Sequence, residues 1–132
     1  MTHITAADRE LIQKAREAII PNYDAVDFNH TVGAALRTKS GKIYVGVNVY
    51  SLHGACAEQV ALGTAITCGE REFVSIVAVR GEHGEEILPP CGNCRQILGD
   101  YAPNCEVILS DKNEGMKVLA KELLPYAYKV EN

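Results

Sequence analysis

From about Thr5 to Ile20, apolar residues recur at helical spacing, with Ala6, Leu11, Ile12, Ala15, Ala18 and Ile19 on one stripe and Pro21 placed to end it. A packing helix is expected there. Val32 to Leu36 and Ile43 to Val49 are β-branched, apolar runs separated by Thr38-Lys39-Ser40-Gly41, and the glycine suits a hairpin turn between antiparallel strands. Helical spacing returns from Cys56 to about Thr67 through Ala57, Val60, Ala61, Ala65 and Ile66, with Gly69 positioned as a left-handed cap. Phe73 to Val79 is almost continuously apolar, as in a strand covered on both faces, and Glu82-His83-Gly84-Glu85 then turns the chain toward Pro89-Pro90. The spacing next predicts a helix from Cys91 to about Tyr101 with Ile97 and Leu98 inward. A buried strand over Val107 to Leu109 and a last short helix over Met116 to Leu123 follow. Strands alternating with helices argue a three-layer α/β/α fold with a hairpin at one sheet edge. With no repeat or linker in the chain, residues 1–132 read as a single domain.

Composition narrows the classes. An apolar content of 47% is enough for one buried core in a chain of this length. No run approaches the roughly 18 apolar residues of a membrane span, and the opening MTHITAADRE has no secretory h-region, so a cytoplasmic protein with no membrane partner is expected. A net charge of -4, no Trp and few aromatics provide no basic footprint for a polyanion, which argues against nucleic acid and for a small neutral or cationic substrate. Five cysteines without a secretory leader point to metal binding or catalysis rather than a disulfide framework.

Two cysteine segments carry the candidate chemistry. Cys56-Ala57-Glu58 and Pro90-Cys91-Gly92-Asn93-Cys94 both fall where a loop enters a predicted helix, so side chains and free backbone N–H groups could converge. Three thiolates are soft ligands suited to zinc, and three protein ligands leave a fourth position open, as a catalytic rather than a closed structural site needs. Glu58, two residues after Cys56, could move protons without binding the metal. This arrangement of a Cys, a Glu and P-C-x-x-C is a known zinc-deaminase signature. A lone C-x-x-C would also suit a structural metal site closed by His53, or the redox pair of a thiol oxidoreductase.

Those segments, together with Val32-Gly33-Ala34-Ala35-Leu36, Gly46-Val47-Asn48-Val49-Tyr50, Arg95-Gln96 and Leu123-Leu124-Pro125, make the chain resemble the cytidine deaminase family over nearly its whole length, and within it the blasticidin S deaminases. The resemblance implies a five-stranded mixed sheet flanked by helices, a homotetramer, and hydrolysis of a cytosine amine to a carbonyl with release of ammonia. It implies one Zn²⁺ per subunit on Cys56, Cys91 and Cys94, with Glu58 as general acid and base. It places Asn48 on the sugar, His30 and Thr31 in the pocket, and Tyr128 in a neighbouring subunit's site. Two departures stand out: Gln59 replaces the Arg that commonly follows the catalytic Glu and supports the thiolates, and Tyr50 replaces a Glu that grips the sugar. The first makes Arg95 the expected thiolate support, and the second makes Tyr50 a substrate contact that relaxes selection for ribose.

The remaining candidates have plainer readings. Cys68 and Cys105 are expected as small buried apolar residues, Tyr44 as a packing residue across the hairpin, and His83 as solvated. Gly46 and Gly54 suit either close backbone approach or a turn.

Overall fold

The computed structural model describes residues 2–111 and 114–131, with backbone only for Thr2. Its strands are β1 (Thr2–His3), β2 (Val32–Thr38), β3 (Ile43–Val47), β4 (Phe73–Arg80), β5 (Glu86–Leu88), β6 (Glu106–Leu109) and β7 (Met116–Leu119), and its α-helices are α1 (Ala6–Ile19), α2 (Ala57–Thr67) and α3 (Gly92–Tyr101). They form one sheet in the order β1-β7-β6-β4-β2-β3, with β5 added beside β4. β4 and β6 run parallel, while the other pairs are antiparallel, so the sheet is mixed. The β2–β3 hairpin lies at one edge, as expected. Five strands were expected, and the two additions, β1 and β5, are only two and three residues long.

Side-chain alternation along the central strands separates two cores. Ala34, Leu36, Ile76, Ala78 and Val107 face Ala57, Ala61, Leu62, Ala65 and Leu98 of α2 and α3. Ala35, Val77, Val79 and Ile108 face Leu11, Ile12, Ala15 and Ile19 of α1 on the opposite side. The result is the three-layer α/β/α arrangement. α1 starts with a capping box, in which the Thr5 amide donates 2.8 Å to Asp8 and the Asp8 amide donates 3.3 Å to the Thr5 hydroxyl. Pro21 falls in the short 3₁₀ turn Ile20–Asn22 that ends this helix. α2 ends in a Schellman motif: Gly69, at φ 94°, donates to the Ile66 carbonyl and Glu70 donates to that of Ala65.

The expected helix over Met116–Leu123 is corrected to strand β7 followed by a 3₁₀ turn over Ala120–Leu123. Val118 packs toward α2 and α3, whereas Lys117 turns to the α1 face, is only 9% exposed, and reaches Asp8 at 2.9 Å and Glu106 at 3.5 Å. Four residues of two-fold alternation are too few to oppose a helical reading of the longer window. Cys68 is likewise corrected, being exposed at the end of α2, while Cys105 is buried as expected.

One packing detail sets the position of α2. A Cβ built on Gly46 of β3 would lie 2.7 Å from the Ala61 nitrogen, so glycine is what allows strand and helix to approach this closely.

Candidate active site

Cys56 and Cys91 are the N-cap residues of α2 and α3, each held in extended backbone immediately before its helix. Both helix N-termini therefore direct backbone N–H groups and positive dipole ends toward one place. Cys94 lies one turn into α3, and the sulfurs of Cys56, Cys91 and Cys94 all fall within 4.8 Å of one another, with Cys56 and Cys91 at 3.5 Å. Three thiolates about 2.3 Å from a tetrahedral zinc would stand roughly 3.8 Å apart, so the cluster fits that ion in spacing as well as in softness. Among the described residues this is the group able to hold a metal, and His53 is not part of it.

The three thiols sit in unequal surroundings. Burial raises the Cys94 thiol strongly and the Glu58 charge raises it further, while burial and the Cys91 thiol raise Cys56. Burial also acts to raise Cys91, but the Cys94 amide donating to its sulfur, with help from the other two thiols and the Asn93 amide, brings it below the usual value. A divalent cation among them would overrule these directions, because coordination deprotonates a thiol outright. Glu58, at the second position of α2, is buried with 6% exposure, and burial raises its carboxyl above the ordinary range.

Glu58 opens onto a cavity of about 230 Å³ whose lining includes Val32, Asn48, Cys56, Leu88, Pro89 and Cys91. A second cavity of the same volume shares Asn48 and Cys56, and it is lined by Tyr50, His53, Gln59 and Asn93 among others. Asn48 is oriented by its neighbours: its side-chain oxygen accepts from the Thr31 amide at 2.7 Å and the Val32 amide at 3.0 Å. Its Nδ2 is thereby left as the donor, with one weak bond of 3.4 Å to the Thr31 hydroxyl. His30 contacts the Asn48 carbonyl at 2.8 Å, so His30 and Thr31 buttress Asn48 and line neither cavity. Tyr50 lines only the second cavity and is 74% exposed. Tyr128 lies alongside α3, outside both cavities, with its carbonyl accepting from Gln96 at 2.8 Å.

Arg95, expected beside the thiolates, gives its guanidinium to main-chain carbonyls instead, with Nε 2.8 Å from Pro90 O and Nη1 3.2 Å from Leu123 O. Among the described residues, the side-chain amide that reaches the cluster is that of Gln59, whose Nε2 stands 3.6 Å from Cys94 Sγ. Gln59 stood out in the sequence only as a lost positive charge, with no contact of its own expected. The usable signal was spacing, since Gln59 follows Cys56 by three residues and so shares its helix face.

Known proteins resemble this chain over nearly its whole length. A blasticidin-S deaminase of Bacillus cereus is 38% identical over 135 residues, covering 96% of this chain and 95% of its own length. A cytidine deaminase of Halalkalibacterium halodurans is 34% identical over 130 residues, covering 94% and 92%. The crystal structure of a cytidine deaminase from Burkholderia pseudomallei superposes with a TM-score of 0.76 at 34% identity, over 95% of this chain and all of that one. The profile of the cytidine and deoxycytidylate deaminase zinc-binding region matches residues 5–109, which span both cysteine segments. The chain belongs to the cytidine and deoxycytidylate deaminase family.

Proposed function

We propose that this chain is a zinc-dependent hydrolase that replaces the C4 amine of a cytosine nucleoside or analogue with a carbonyl and releases ammonia. The observation that carries the reading is the placement of Glu58, a buried carboxyl that shares one small cavity with Cys56 and Cys91. Cys56, Cys91 and Cys94 would hold zinc, which would supply Lewis acidity that makes water acidic near neutral pH. The protein's part is proton handling and positioning. Glu58 takes a proton from the attacking water and delivers it to N3 of the ring, then passes the second to the amine leaving C4, so a single carboxyl serves both steps. Burial raises its pKa, which suits that duty, because the carboxylate of a stronger acid takes up a proton less readily. Apolar Val32, Leu88 and Pro89 shield one side of the ring, and the Asn48 amide donates to the sugar.

His53 and Tyr50 line the adjoining cavity and offer room for a substituent other than ribose. The blasticidin-S deaminase relative supports a substrate with such an altered sugar, blasticidin S among them. His30 and Thr31 act through Asn48. The protein works in the cytoplasm as a single-domain subunit of a homotetramer, with Tyr128, 72% exposed in this chain, reaching a neighbour's site.

Glu58→Gln tests the central claim. The amide keeps the size of the side chain but cannot cycle a proton, so zinc content should stay at one per subunit while ammonia release falls by roughly 10²–10⁴-fold. Ammonia release at the wild-type rate would exclude Glu58 as the proton carrier.

A further inference from the structure

Arg95 touches both the metal loop and the start of the C-terminal tail. Its Nε donates 2.8 Å to the carbonyl of buried Pro90, and its Nη1 donates 3.2 Å to the carbonyl of Leu123, the last residue of the 3₁₀ turn. A peptide unit is planar, so the Pro90 oxygen moves as one body with the nitrogen and Cα of Cys91. In the same way, the Leu123 oxygen moves with the Cα of Leu124, where the tail begins. The guanidinium is itself a rigid plane with its donors in a fixed fork. Three planes in series therefore join a metal ligand to the tail. Gln96, next along α3, fixes the far end of the tail by donating 2.8 Å to the Tyr128 carbonyl. Between these two anchors the tail and α3 together line a cavity of about 430 Å³.

We infer that Arg95 is a positioning residue that couples the C-terminal tail to the Cys91 end of the metal site, so that loosening the tail loosens the metal. The inference rests on zinc being held by the three cysteines, and it is independent of which substrate is turned over. No ion pair is involved, since both partners are neutral carbonyls, and it is the fork geometry that a lysine cannot reproduce.

The test uses full-length, zinc-loaded protein and two readouts, the rate of zinc transfer to a chromophoric chelator and amide hydrogen exchange of residues 124–131. Arg95→Met should release zinc roughly 10–100-fold faster, the range typical of lost outer partners of metal ligands, and should speed exchange in the tail. Arg95→Lys should behave like Arg95→Met, and it carries the test if the Met variant does not fold. Gln96→Ala should speed both tail exchange and zinc release in the presence of Arg95. Added to Arg95→Met, it should speed tail exchange alone, because the connection is already cut. Zinc release within twofold of wild type in Arg95→Met, wild-type behaviour of Arg95→Lys, or additive effects of Gln96→Ala on zinc release would each overturn the coupling. Deamination is assayed separately, so loss of the coupling and loss of the catalytic reading remain distinguishable.

Discussion

Gly46→Ala tests how the site is held. The new Cβ would stand 2.7 Å from the Ala61 nitrogen and 2.8 Å from the Val60 Cβ, where ordinary contact begins at 3.4 Å. Neither obstacle is the far end of a flexible side chain, so α2 must retreat from β3 by about 0.7 Å. Overpacking of this kind costs about 1–3 kcal/mol, and each kcal/mol lowers Tm by roughly 3–5 °C in a chain of this length. Cys56 and Glu58 ride on the first turn of α2 while Cys91 and Cys94 belong to α3, so the same shift distorts the cluster, and kcat should fall roughly 10–100-fold. Gly63→Ala is the control. It lies on the same helix, exposed and with no atom within 4 Å of the added Cβ, and should raise stability by about 0.4–1 kcal/mol without touching activity. Thermal unfolding of the zinc-loaded variants and initial rates of ammonia release give both quantities. A Gly46→Ala protein with wild-type Tm and kcat, or a Gly63→Ala protein that loses both, would refute the argument that close approach at Gly46 positions the metal site.

Further outcomes follow from other contacts. Gln59→Leu removes the amide from Cys94 Sγ and should weaken zinc binding roughly 10–100-fold in chelator competition; unchanged affinity would reduce Gln59 to a packing residue. Tyr50→Glu should shift the ratio of kcat/KM for cytidine against blasticidin S toward cytidine, since a carboxylate accepts stronger hydrogen bonds from sugar hydroxyls; an unchanged ratio would remove Tyr50 from specificity. Asp8 is buried, which alone would raise its pKa, but hydrogen bonds from Lys117 and from Thr5 outweigh burial and hold it below the usual 3.8. That stabilisation is therefore full above about pH 4 and is lost as pH falls through the lower folded-state value. Asp8→Asn should cost about 3–5 kcal/mol at pH 7, toward the lower end because Glu106 stays 3.5 Å from Lys117, and should flatten the acid limb of a stability-against-pH curve. An acid limb of wild-type steepness in the variant would assign that limb to other groups.

What could be read in the chain follows from the length and strength of each signal. Phe73–Val79 and Val32–Leu36 are long enough to specify buried strands, and the α1 stripe is four turns of consistent spacing, so tertiary packing had nothing to override. β5 is three residues trailing a turn, and β7 owes its exposure pattern to Lys117, whose partner Asp8 lies on a distant helix. Local periodicity carries no record of such a pairing. The same limit applied at the site. Cys56, Glu58, Cys91 and Cys94 were legible because each motif is confined to a few residues at a helix start. The placement of Arg95 on main-chain carbonyls, with Gln59 beside Cys94, was not, because it depends on where Leu123 brings its carbonyl, 28 residues away.

The metal cluster has a consequence for folding. Cys56 and Cys91 are 35 residues apart in sequence and on different helices, with all of β4 between them. An ion joining them closes a loop much as a covalent bridge would, and for a loop of that size the lost chain entropy of the unfolded state corresponds to about 4 kcal/mol. Unlike a disulfide, this cross-link survives reducing conditions and can be undone by chelation. Cys91 and Cys94 belong to one helix start, whereas Cys56 comes within reach of them only where α2 and α3 are both packed on the sheet. Full three-thiolate binding is thus a property of the folded chain, and zinc supply becomes a determinant of how long that chain lasts.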